Sequence, residues 1–157
     1  MSPKYKRGFT LIELLILIAL IGIVAAVAVP GFSQLIENNR LTSANNDLVG
    51  ALSMARSEAV RLGTSVNVVP AGANYSDGIR VQATVNGTTQ TLREVAGPDG
   101  NVSVTLSSGS NPGFRANGLG THASTVVFDI CASSGEQGSQ VSVTRGGQVE
   151  STNITCP

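Results

Sequence analysis

Glu13 places a carboxylate where lipid is expected. It lies five positions into an apolar run that opens at Phe9, and from Leu14 to Val29 every residue is apolar or glycine. A charge at the centre of a bilayer span costs about 2.5–3.5 kcal/mol on insertion scales and less near an end. An anion in the first turn of a helix is also favoured by the helix dipole. Glu13 is therefore tolerable near the edge of a span, and its sharper reading is a binding contact. Gly8, a small residue at which a peptidase could cut, stands before the run rather than after it. A cut there keeps the apolar segment in the mature chain, unlike a secretory signal peptide.

The other groups with chemical potential are few. Cys131 and Cys156 are the only cysteines, and neither belongs to a C-x-x-C or Cys/His cluster of metal-ligand spacing. Behind a membrane segment, in an exported domain, such a pair reads as a disulfide; two separate free thiols are the alternative. His122, the single histidine, sits in a glycine-rich loop and reads as a surface residue. Asp129 and several serines form no nucleophile elbow, and no G-K-[ST] phosphate loop occurs. Asp77, Asp99 and Glu136 fall in turns, where Asp in particular is expected. The sequence offers no catalytic constellation and implies no cofactor and no metal, so an enzyme is not expected.

The elements that carry these residues follow from composition and periodicity. Phe9 to Val29 is 21 residues, roughly 31 Å as a helix at about 1.5 Å per residue, which matches a bilayer core. Lys4, Lys6 and Arg7 then mark the cytoplasmic side, with everything after Pro30 outside. Pro30 is expected to kink or loosen the helix, since it lacks an N–H. Beyond it Leu41, Ala44, Leu48, Ala51, Leu52, Ala55, Ala59 and Leu62 recur at spacings of three and four, forming one apolar stripe. The segment 36–47 has low helix propensity, and Gly63 is the expected stop. The formal net charge is zero; without residues 1–8, seven basic and ten acidic side chains remain. That mild acidity argues against a broad nucleic-acid platform.

After Gly63 the period changes to that of strands. Segments 65–70, 78–85, 88–95, 101–107, 124–130, 140–144 and 148–152 read as strands, with Asn86-Gly87 as a hairpin turn. Val102, Val104 and Leu106 share one face. Short turns make the sheet mostly antiparallel. The fold class is α+β: a long helix, its first half transmembrane and its second half amphipathic, laid on a mostly antiparallel β-sheet domain.

The stretch "RGFTLIELLILIALIGIVAAVAVPGF" resembles the type III signal sequence of the type IV pilin and type II secretion pseudopilin superfamily. The resemblance rests on the basic leader, Gly8, Phe9, Thr10-Leu11, Glu13, the apolar run and Pro30. It implies that a prepilin peptidase cuts after Gly8 and methylates the new N-terminus, Phe9. It also implies that the amine of Phe9 in one subunit meets Glu13 of an adjacent one. In a low-dielectric bundle that pair is preferred over an unpaired carboxylate. Residues 1–8 are then a cleaved leader, 9–30 a transmembrane and assembly helix, 31–63 the amphipathic half of the helix, and 64–157 a periplasmic β-rich domain. "ARSEAVRLG" (55–63) resembles a stretch common in the GspH/FimT group. Many pilins carry a C-terminal disulfide loop, which agrees with pairing Cys131 to Cys156.

What this resemblance implies is a minor pilin of the type IV pilus, in the filament or its tip and priming complex. It would support assembly and pilus-dependent motility, adhesion or DNA uptake. The implied partners are the prepilin peptidase, sibling minor pilins and the major pilin. The implied location is the bacterial inner membrane, with the domain in the periplasm, and then the pilus at the cell surface. A GspH-like minor pseudopilin of type II secretion is the alternative. A FimT-like DNA-binding pilin is a further one, but such relatives carry a basic C-terminal patch, and the last hairpin here offers Arg145 alone, followed by Glu150. Aromatic residues are 4% of the chain and Trp is absent, which argues against a stacking platform for single strands.

Overall fold

The computed structural model describes residues 9–133 and 135–157. Gly8 and the side chain of Pro30 lie outside the described residues. The chain divides into two compact units, Met1–Ile36 and Glu37–Pro157. One helix, α1 (Leu11–Leu62), contributes to both. Its backbone is helical through position 30, because a proline removes one amide donor and the bonds on either side persist. It is equally helical across 36–47, where weak propensity is offset by burial of Leu41 and Ala44. Gly63 follows the last turn with φ +64°, a left-handed position that favours glycine.

The second unit is built on the helical stripe. Leu48, Ala51, Leu52, Ala55 and Ala59 are fully buried. Small residues at three of these positions let strands approach closely. β1 (Val66–Pro70), β2 (Gly78–Val85) and β3 (Thr88–Ala96) form an antiparallel meander. A 3₁₀ turn, Tyr75–Asp77, joins β1 to β2, and its capping box pairs Asn74 with Asp77. Asn86 (φ 51°) and Gly87 (φ 78°) make the β2–β3 turn, the left-handed pair that matches strand twist. β4 is Ser103–Ser108, β5 Gly113–Phe114, β6 Val126–Cys131, β7 Gln137–Val143 and β8 Val149–Thr155.

These strands form two four-stranded sheets, ordered β3-β2-β1-β5 and β4-β6-β7-β8. Every pairing is antiparallel. The short β5 lies in what sequence reads as loop; it pairs Phe114 with Val66 because Phe114 fills the core completely. β7 starts earlier and β8 runs later than periodicity predicts. Ser76 ties the sheets together: its Oγ accepts from Val104 N at 2.9 Å. Buried residues of α1 from Leu41 onward and of both sheets make a single hydrophobic cluster.

Candidate functional site in the N-terminal helix

In the first unit the apolar side chains have no partner within the chain. Leu11, Ile16, Ile21, Val29, Phe32 and Ile36 are all exposed, as are the other large apolar side chains between them that are described. An apolar helix with no polar face belongs in lipid or among other helices. α1 is the one helix, among the described residues, long and apolar enough to cross a membrane, and none of its most apolar stretch is buried.

The first turn is closed by Thr10 and Glu13. Glu13 N donates to Thr10 Oγ1 at 3.3 Å. Thr10 N and Thr10 Oγ1 each lie 3.4 Å from Glu13 Oε2. This is a T-x-x-E capping box, and the spacing was present in the sequence as its signal. It gives Glu13 a partner inside its own chain, while both side chains stay exposed. Phe9, next to the expected cut, is exposed as well.

A model of the type II transport protein GspH matches residues 44–147, and a model of the prokaryotic N-terminal methylation motif matches residues 3–29. The chain belongs to the GspH family. Within the wider pilin and pseudopilin superfamily, this GspH-family chain is 30% identical over 118 residues to a fimbrial protein of Pseudomonas aeruginosa, covering 73% of this chain and 76% of that one. It is 37% identical over 110 residues to fimbrial protein EcpC of Eikenella corrodens, covering 69% and 67% respectively. Its fold is that of the type IV minor pilin FimU from P. aeruginosa strain PAO1, with TM-score 0.64 and 24% identity over 73% of this chain and 89% of that one.

In this GspH-family domain, Cys131 and Cys156 form a disulfide with Cα atoms 5.8 Å apart. The bond sits where Gly138 leaves space, since a Cβ there would collide with Cys156 Sγ and come within 2.6 Å of Ile130 O. His122 is not a surface residue. It is 8% exposed, with Nε2 3.2 Å from Thr144 O and the ring packed on Gly120, where a Cβ would meet Cε1 at 2.5 Å. Glycine at 120 makes room for the ring, which drives the imidazole inward. Among the described residues no group of three or more His, Cys, Asp or Glu could hold a metal.

Arg145 is also not isolated. Gly120 N donates to Arg145 O at 2.9 Å, Arg115 N to Leu119 O at 2.8 Å, and Arg56 Nε to Gly118 O at 3.1 Å. The 115–120 loop thus gathers three arginines that lie far apart in sequence.

Proposed function

We propose that the protein is a minor pilin of a type IV pilus, built into the filament or its tip and priming complex through the N-terminal helix. The observation that carries this reading is the helix itself: apolar on every described side up to Ile36, then buried by its stripe in a folded domain from Leu41 on. Such a helix needs lipid before assembly and neighbouring helices after it. In this reading prepilin peptidase removes residues 1–8 and methylates Phe9, and the domain faces the periplasm from the inner membrane until extraction. Glu13 pairs with the Phe9 amine of a neighbour, and Pro30 sets local helix flexibility in the packed bundle. Sibling minor pilins and the major pilin are the partners. The resulting roles are pilus assembly and the motility, adhesion or DNA uptake that depend on it.

A minor pseudopilin of type II secretion is the second reading, favoured by the GspH model; the fimbrial relatives favour the pilus. Mass spectrometry of purified, sheared pili tests the choice. The expected peptide begins at methylated Phe9. An intact Met1, or loss of secretion with pili unaffected when the gene is deleted, would overturn the pilus reading.

A further inference from the structure

Two large apolar side chains are exposed among the described residues of the second unit: Val60 at 56% and Leu119 at 44%. They are neighbours, since a Cβ on Gly118 would stand 3.5 Å from Val60 Cγ2. Beside them runs an open groove of about 610 Å³ lined by Ser53, Arg56, Ser57, Val60, Gly147 and Gln148. Arg56, Arg115 and Arg145 surround the pair, all exposed. The ion pairs among the described residues are Arg61–Glu58 and Arg80–Glu94, so these three arginines meet no carboxylate of their own chain there. The loop that carries Leu119 has a firm base, with His122 packed beneath Gly120.

We propose that this patch docks another pilin-family subunit through an acidic surface bearing an aliphatic side chain. Aliphatic residues at the centre with arginines around them are the composition of a protein interface, and three unpaired cations call for an acidic counterpart. A second copy does not fit, because a two-fold contact would bring six arginines together. Nucleic acid fits less well. Tyr75, Phe114 and Phe128, the aromatic residues of this unit, are all buried, so no base can stack, and a phosphate backbone gains nothing from Val60 or Leu119. The inference rests on the pilin reading above and names the surface it uses.

The test uses the full-length protein in detergent, titrated with each purified pilin-family subunit of the same organism. At least one acidic subunit should bind. Val60→Asp and Arg115→Glu should each weaken that binding about tenfold or more, with the melting temperature unchanged, and a partner Asp→Lys or Glu→Lys change should rescue Arg115→Glu. Arg93→Glu, on β3, should leave binding unaltered. Subunit binding insensitive to both patch variants overturns the proposal while leaving the pilin reading intact. So does self-association through the patch, or binding of duplex DNA at low salt in place of every subunit. Absence of the mature chain from purified pili would instead overturn the pilin reading.

Discussion

Thr10 and Glu13 cap each other: the Glu13 amide reaches Thr10 Oγ1 at 3.3 Å, and the Glu13 carboxylate faces the Thr10 amide and hydroxyl at 3.4 Å. The cap needs an acceptor at position 13, whereas pairing to a neighbour's amine needs a charge. Glu13→Gln separates the two, because glutamine also serves in a capping box. Under the assembly reading, Glu13→Gln and Glu13→Ala should both reduce incorporation into pili, measured by immunoblot against equal membrane levels. Near wild-type incorporation of Glu13→Gln would leave capping as the whole role. Thr10→Val should cost about 1 kcal/mol of local helix stability and affect incorporation less.

The disulfide and Gly138 form one unit. Closing the loop between Cys131 and Cys156, a separation of 25 residues, is worth roughly 3–4 kcal/mol on the chain-entropy model. The double variant Cys131→Ser, Cys156→Ser should lower the melting temperature accordingly. Gly138→Ala should destabilise the oxidised protein, since its Cβ would meet Cys156 Sγ and approach Cys131 Sγ at 3.1 Å. In the double-serine background the same change should cost less, because the small hydroxyls are free to turn away. Equal costs in both backgrounds, by chemical denaturation, would place the clash at Ile130 O instead.

The helical stripe and most strands were legible because each has a strict period and one buried face. Leu48 and Leu52 could be read as core from spacing alone. β5 could not: Gly113 and Phe114 pair with Val66 and Asn67 through contacts across nearly fifty positions of sequence, and a two-residue strand carries no period. His122 was misread for a similar reason. A lone polar residue in a glycine-rich loop looks solvated, and only the fold reveals that Gly120 leaves space for its ring. The disulfide was legible from count and compartment, but the glycine that accommodates it was not. The arginine cluster is likewise a product of tertiary structure, since nothing local links positions 56, 115 and 145.

Leu48 tests the claim that α1 and both sheets share one core. Its side chain is fully buried in the common cluster. Leu48→Ala should cost about 2–5 kcal/mol, read from urea denaturation with a single transition. Two separate transitions, only one of them shifted, would mean that the sheets do not unfold together.

Tyr75 gives the domain an alkaline limit. Its hydroxyl donates to Val68 O and lies 3.0 Å from Asn111 Oδ1, and its ring meets Phe128 edge-on with centroids 4.9 Å apart. Burial pushes the phenol well above its ordinary value of 10.0, because the charged form is poorly solvated there. Above that ordinary value the unfolded chain loses the proton while the folded chain keeps it. The unfolded state then binds fewer protons, so stability falls as pH rises. The contribution is complete below the unfolded value and is lost as pH climbs toward the folded one. The slope is at most about 1.4 kcal/mol per pH unit for one group. No lysine follows residue 6 and the other tyrosine is Tyr5, so in a Tyr5→Phe background tyrosinate absorbance reports on Tyr75 alone. It should lag the free phenol in the folded protein and jump on unfolding. Tyr75→Phe should be less stable at neutral pH, having lost both hydroxyl contacts, yet nearly flat across the alkaline range. A wild-type curve as flat as that of the variant would mean that the phenol ionises in place.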